Sequence, residues 1–379
     1  MLVYTSITKS YIPKARVLAK SVKRIHPDWT FVLLFSDKLP DNFDLNEEPF
    51  DEILTIEQLE FPNWQAWAFG HSIVELCTAV KALAAEKLAE RPGTEKIMYL
   101  DPDIRVFNSL EPLNQLLDDY DILLTPHLLD IEREDSAVRD NEISALKHGI
   151  YNLGFFAAKT TGQGLDFIQW WSKRLQKYCR DDIPAGLFTD QRWCDLAPCF
   201  FSKLHIVRDR GYNVATWNIA HRKLTKNAAN ELCAGNTKLR FYHFTGYDSG
   251  DGKQMLNHYA SDQKIASELW ENYHADLLKE GHGDQKFESW YFGYFSNKDP
   301  IPIEARRLFR DRLDLQQAFK DPYSVISPCF LDWWKTEIMS NSQKQEVSSV
   351  DEIENNVIFQ NIFTTRISKK LRLIINKIT

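Results

Sequence analysis

Apolar and polar positions follow two alternating periods through the first part of the chain. Leu2–Ile7, Thr30–Phe35, Lys96–Leu100 and Asp121–Thr125 are short, β-rich apolar runs, and Glu52–Ile56 is a shorter one. Such runs read as buried strands. After the first, Pro13 suits the opening turn of a helix, where a missing N–H costs nothing, and Ala15, Val17, Leu18, Val22 and Ile25 continue it as an apolar stripe. Trp64–Leu88, with Val74, Ala79, Val80, Leu83 and Leu88 among its apolar positions, predicts one long helical region. Strands alternating with helices predict an α/β fold, a mainly parallel sheet with helices on both faces. Ligands of such sheets bind beyond the carboxyl ends of the strands, so the residues that follow each strand carry the functional information.

The pattern changes near Asn257. Aromatic residues become dense (Trp270, Tyr273, Trp290, Tyr291, Phe292, Tyr294, Phe295) and strand-like runs stop. Ala305–Phe319 is charged and helical in period, and Ser340–Asn356 is a polar, linker-like stretch. The expected organisation is an α/β domain over 1–256, a mainly helical region over 257–339, and a linker and tail over 340–379. In Phe363–Thr379, Ile367, Leu371, Leu373, Ile374, Ile375 and Ile378 mix with Arg366, Lys369, Lys370, Arg372 and Lys377, with no acid. This basic amphipathic pattern suits peripheral contact with an anionic membrane surface and equally suits packing on the domain or a partner.

Charge and cysteine content narrow the classes. A net charge of −7 over 379 residues argues against a general nucleic-acid binder. Six cysteines without a C-x-x-C pair disfavour a thiolate zinc site and read as free thiols in a reducing compartment. Met1–Ser6 lacks a signal-peptide pattern, and no apolar run is long enough to span a bilayer. The expected location is cytoplasmic, with the tail as the one candidate for contact with the inner face of the membrane.

The candidate chemistry centres on Asp101-Pro102-Asp103, directly after the Lys96–Leu100 run. Two carboxylates one residue apart at a strand end converge on a hard cation, and Mg²⁺ and Mn²⁺ share such oxygens with substrate phosphates. Two solvated turn aspartates are the bland reading. A haloacid-dehalogenase-type phosphatase also places D-x-D after a strand, but Arg105 stands where its threonine belongs.

With its D-x-D after an apolar strand, the chain resembles the GT-A glycosyltransferases, retaining family 8 enzymes in particular, in ordered blocks over about its first two thirds. Val3-Tyr4-Thr5-Ser6 looks like the family's first strand and nucleotide-facing turn. The resemblance makes Thr5 and Ser6 contacts to base or ribose, and Tyr11 a base-stacking ring or a packing residue. Lys81 takes the place of a basic residue in the helix before the D-x-D, where it would neutralise diphosphate charge or simply be solvated. Tyr151-Asn-Leu-Gly-Phe-Phe-Ala157 resembles the Asn-x-Gly strand, which puts Asn152 near the donor sugar and leaves Gly154 for a close backbone approach. Phe188-Thr-Asp-Gln-Arg-Trp193 resembles the Asp-Gln block beside the reacting carbon, with Asp190 on sugar hydroxyls or the reaction centre and Gln191 on the β-face of the anomeric carbon. Arg240–Gly246 offers His243 as a third metal ligand. The family's spacing of His, two residues, Gly, two residues, Lys fails at its last position: the next lysine is Lys253, at the end of a longer Gly-rich loop. Asn213, Trp217 and Asn218 resemble sugar- or acceptor-pocket residues.

The resemblance thus implies a GT-A sheet, Mn²⁺ or Mg²⁺ on Asp101, Asp103 and His243, and a nucleotide-sugar donor such as a UDP-hexose. It implies transfer to a glycan or lipid-linked acceptor with retention, although inversion with Asp190 as base stays open. A sugar-nucleotide pyrophosphorylase would need a Gly-rich loop after its first strand, and Thr5–Tyr11 contains no glycine. A non-catalytic carbohydrate-binding module accounts for the tryptophans but not for the acidic pair. An inactive scaffold would not be expected to keep that pair.

Overall fold

The computed structural model describes residues 1–284 and 289–338. The five predicted runs become strands β1 (Leu2–Ile7), β2 (Thr30–Phe35), β3 (Glu52–Thr55), β4 (Lys96–Leu100) and β6 (Ile122–Pro126); β5 (Ile104–Val106) is a short strand the apolar pattern does not predict, and β7 (Tyr151–Lys159) contains the Asn-x-Gly segment. The main sheet has seven strands in the order Leu204–Ile206, β6, β7, β4, β1, β2, β3. Pairing is parallel except at β7, which runs antiparallel to both β4 and β6. A mixed, mainly parallel sheet with flanking helices is what the sequence predicts.

Both faces of the sheet are covered, which is why its strands read as near-continuous apolar runs. Tyr4, Val32, Leu34 and Tyr99 face a core formed with the helices Ile73–Ala89 and Gly162–Tyr178. Val3, Phe31, Leu33 and Met98 face the helices Ile12–Ile25 (α1) and Glu111–Asp119.

The predicted helical region Trp64–Leu88 is two helices, α2 (Trp64–Phe69) and α3 (Ile73–Ala89). The break is local in origin. Ser72 caps α3 by accepting from the Glu75 N–H, and the Glu75 carboxylate accepts from the Ser72 N–H, a capping box that starts a new helix. Val74, taken as an apolar position, lies at its exposed edge. Ala305–Phe319 likewise divides into Ile303–Asp311 and Leu313–Ala318. The Gln316 side chain donates to the carbonyls of Phe309 and Arg310 at the first helix's end, satisfying groups that a continuous helix would have bonded internally.

The aromatic-rich region completes the core. The helix Asp251–Ala260 runs through residue 256. Trp270 and Tyr273 share a core cluster with Val17 of α1, Val214 and Tyr242, and Tyr273 stacks on Phe244 at 3.7 Å. The segment around Trp290 returns to the sheet's carboxyl edge, where the Tyr291 N–H donates to Asp37 just after β2. All six cysteines are free thiols. Among the described residues no helix is long and apolar enough to cross a membrane. The linker and basic tail expected over 340–379 lie outside the described residues.

Candidate functional site

The site lies beyond the carboxyl end of β4, where five separate stretches of chain meet. β4 ends at Leu100 and β5 begins at Ile104, so Asp101 and Asp103 occupy the turn between them. β5 pairs antiparallel with Phe241–His243, putting His243 opposite Ile104, and the Phe244 N–H donates to the Asp103 carbonyl at 2.8 Å. That ladder brings His243 to the acidic pair. Its Nε2 lies 3.0 Å from Asp103 Oδ1 and 3.8 Å from Asp101 Oδ2. One ligand atom from each of the three residues falls within 4.8 Å of the others. His243 is buried, while the two aspartates keep a solvent-facing side, leaving room for further ligands.

The residues fit a divalent cation. Two carboxylates and one imidazole suit Mn²⁺ better than a purely oxygen-seeking ion. Gly154 of β7 makes the cluster possible. A Cβ there would stand 2.5 Å from His243 Cε1, 2.8 Å from Asn152 Oδ1 and 2.9 Å from Asp101 Oδ2. The Asp101 N–H donates to the Gly154 carbonyl at 2.8 Å, so the same residue ties the acidic turn to the sheet. Asp103's carboxyl is pushed down to about 2: burial opposes this, and the adjacent His243 and, more weakly, Lys14 override it.

Asn152 sets the orientation of His243. Its Oδ1 lies 3.2 Å from His243 Nδ1, and its Nδ2 lies 3.2 Å from His127 Nε2. With Asn152 Nδ2 donating, His127 Nε2 must accept, so His127 is the neutral tautomer with its proton on Nδ1, toward the Ile150 carbonyl at 3.3 Å. Burial pushes the His127 pKa down to about 4, consistent with that state. His243 Nδ1–H then donates to Asn152, and its Nε2 faces the aspartates; burial lowers the His243 pKa but Asp103 and Asp101 raise it above the ordinary value, so Nε2 carries a proton toward Asp103 unless a cation takes that place. A ligating histidine held through its other nitrogen is the usual outer-shell device of metal sites. Trp217 packs edge-on to the His243 ring at 5.5 Å and donates from Nε1 to the His127 carbonyl at 3.0 Å. Asn218 donates to that same carbonyl at 3.1 Å and to the Asn213 carbonyl at 3.0 Å.

Lys81 of α3 sits beneath the cluster, buried. Its ammonium lies 3.1 Å from Asp101 Oδ1, 3.0 Å from Asp190 Oδ2 and 3.2 Å from the Leu153 carbonyl. The ammonium donates a hydrogen bond to the carbonyl and forms ion pairs with both carboxylates. Burial would depress its pKa, but the two carboxylates raise it above the ordinary lysine value, so Lys81 stays charged. Tyr99 donates to Asp101 Oδ1 at 2.6 Å from the same side. Asp190 is buried, and its other oxygen accepts from the Thr189 hydroxyl at 3.1 Å. Thr189 has φ of 41°, a conformation disfavoured for a β-branched residue and costing about 1–3 kcal/mol. Gln191 is held by its neighbours: Nε2 donates to the His148 carbonyl at 2.9 Å, and Oε1 lies 3.5 Å from the Leu153 N–H.

The structure therefore brings Asp101, Asp103, His243, Lys81, Asp190, Asn152 and Gln191 to one place. The nucleotide-side residues are more dispersed. Thr5 is fully buried in β1. Ser6 shares a 3.1 Å hydrogen bond with Ser36 and donates to the Cys77 carbonyl at 2.8 Å. Tyr11 lies half-buried before α1, with the Lys14 ammonium 4.1 Å from its ring centre. Lys253 is exposed in the first turn of Asp251–Ala260. Sequence reasoning missed Tyr99, His127 and Lys14. Lys14 had a readable signal: it falls three, four and seven positions before Val17, Leu18 and Ser21 on the buried stripe of α1.

No family model matches the chain. Two uncharacterized proteins of Bacillus subtilis (strain 168) are similar in sequence. YfnF is 25% identical over 206 residues, 52% of this chain and 66% of that protein, and YfnD is 30% identical over 101 residues, 26% of this chain and 32% of that protein. The chain thus spans just under two thirds of one relative and about a third of the other. Similar solved structures include the galactosyltransferase LgtC in complex with donor and acceptor sugar analogues, with 18% identity, TM-score 0.46, 76% of this chain and 99% of that one. Mouse xyloside xylosyltransferase 1 gives 16%, 0.39, 64% and 97%, and the glycosyltransferase GlyE of Streptococcus pneumoniae TIGR4 gives 16%, 0.42, 73% and 62%. None of these scores reaches 0.5, and no residue role is carried over from them.

Proposed function

We propose that the chain is a metal-dependent glycosyltransferase of the GT-A type, taking a sugar from a nucleotide-sugar donor. The observation that carries this reading is the Asp101–Asp103–His243 cluster at the carboxyl edge of a nucleotide-type sheet, with its two aspartates open to solvent. A divalent ion held there supplies Lewis-acid stabilisation to a departing diphosphate. Lys81 pairs with Asp101 and Asp190 and holds them in place without itself reaching the substrate. Asn152 and Trp217 hold the His243 ring.

The reaction breaks the bond between the anomeric carbon and the diphosphate oxygen and forms one to the acceptor hydroxyl oxygen. The hydroxyl proton passes to the leaving phosphate. Retention is favoured over inversion by Asp190, because both its oxygens are engaged by Lys81 and the Thr189 hydroxyl. Such a carboxylate suits a sugar hydroxyl or developing positive charge better than it suits general-base work. The donor proposed is a UDP-hexose and the acceptor a glycan, free or lipid-linked.

The test is a donor screen with purified protein, Mn²⁺ and a panel of UDP-, GDP-, dTDP- and CMP-sugars, scoring released nucleotide. Slow release from one donor, abolished by EDTA and by Asp103→Ala, is expected. Failure to bind any nucleotide or Mn²⁺ would remove the proposal.

A further inference from the structure

Resting on that donor-site reading, we infer that Lys14 is the protein cation that meets the donor's diphosphate, on the Asp103 side of the metal cluster. Two other lysines near the sequence motifs do not serve. Lys81 is buried and committed to ion pairs with Asp101 and Asp190 and a hydrogen bond to the Leu153 carbonyl, and Lys253 faces solvent on another helix. A diphosphate bound at Asp101 and Asp103 would therefore gain no direct cation from either.

Lys14 is different. It sits in the first turn of α1, just past the carboxyl end of β1, and is buried. Its ammonium lies 4.1 Å from the ring centre of Tyr11 and 5.5 Å from that of Tyr247. Among the described residues its one hydrogen-bonded ion partner is Asp248, leaving two protons uncommitted. Asp248 belongs to the loop that follows His243 and Gly246, and its side chain is 41% exposed while that of Lys14 is 3% exposed. The helix of Lys14 packs on β5, the strand that follows Asp103, where the Ser21 hydroxyl accepts from the Val106 N–H at 3.0 Å. Burying a lysine beside two aromatic rings is costly unless the charge is used. An exposed aspartate is a partner that a phosphate, with more charge and more acceptor oxygens, would displace.

Phe244–Gly252, the stretch that follows His243, contains no lysine or arginine. Lys14 supplies a cation to that side of the site from a different element. It would act as a phosphate-binding residue, and Asp248 as the counter-ion that holds it ready.

The test is equilibrium binding to the full-length protein by calorimetry, with Mn²⁺ alone, with UDP plus Mn²⁺, and with uridine as the phosphate-free control. Lys14→Met keeps the stem and removes the charge. It is expected to weaken UDP binding tenfold or more, with uridine and Mn²⁺ alone unchanged within twofold, and Lys14→Arg should recover part of the loss. Asp248→Asn breaks the same ion pair but leaves the cation, and should leave UDP binding equal to or tighter than that of the parent protein. If Lys14→Met leaves UDP affinity within twofold while Asp103→Ala abolishes it, the donor-site reading stands and the inference about Lys14 is overturned. If Lys14→Met and Asp248→Asn weaken binding alike, the pair is structural and the inference is likewise overturned. A parent protein that binds neither Mn²⁺ nor UDP removes both.

Discussion

Replacing Gly154 by alanine adds one carbon atom at the centre of the metal cluster. The new Cβ would stand 2.5 Å from His243 Cε1 and 2.9 Å from Asp101 Oδ2, whereas ordinary contact begins at 3.4 Å. The imidazole must therefore retreat by about 0.9 Å, or the strand must shift by a comparable amount. Neither partner can move freely. His243 is pinned by Asn152 on one side and Trp217 on another, and Asp101 is held by Tyr99 and Lys81. Metal–ligand distances tolerate about 0.2 Å, so a displacement several times larger should weaken Mn²⁺ binding by about 10–100-fold, the range seen when ligand-orienting groups are lost. Overpacking adds a destabilisation of about 1–3 kcal/mol, which leaves a folded protein to measure. Mn²⁺ titration by calorimetry or electron paramagnetic resonance, with urea unfolding in parallel, separates the two effects. A Gly154→Ala protein that binds Mn²⁺ as tightly as the parent would refute the claim that these three residues share one ion across this glycine.

Other substitutions probe the surroundings. Lys81→Met leaves Asp190 buried without its counter-charge and should lower stability by about 3 kcal/mol or more, read from urea midpoints at pH 7; a change below 1 kcal/mol would contradict the clamp. Asn152→Ala frees both histidines and is expected to cost about tenfold in Mn²⁺ affinity with little change in unfolding midpoint; unaltered affinity would count against the relay. His127 has a folded pKa of about 4, below its unfolded value of about 6.5. Between those values the unfolded chain binds more protons, so this residue makes stability rise with pH across the window and contributes no slope above it. His127→Asn should flatten that part of the profile, and urea midpoints from pH 4.5 to 7 that change equally in both proteins would contradict the assignment.

The strands were legible because their signal is local. Leu2–Ile7, Thr30–Phe35 and Lys96–Leu100 are apolar on both faces, and both faces are covered. The acidic pair was legible for the same reason, since a strand running into Asp-Pro-Asp is a pattern within a few residues. The break between α2 and α3 was also written locally, in Ser72 and Glu75, but the surrounding apolar period masked it. The aromatic residues after Asn257 announced a change of character without saying where they would pack. Phe244 over Tyr273, and Tyr291 on Asp37, join residues far apart in sequence.

The sequence alone determined five strands of the main sheet, the sheet class and the residue types able to hold a cation. Only the tertiary structure decided which charges are free to act. Lys81, Lys14 and Lys253 are equal in a sequence, each a cation on a helix. Folding pairs Lys81 with two carboxylates and a carbonyl, leaves Lys253 in water, and buries Lys14 against the Tyr11 ring with one exposed partner, Asp248. The difference is one of geometry over a few ångströms: an ammonium's three protons go to whatever acceptors the fold brings near, and no local pattern records those distances.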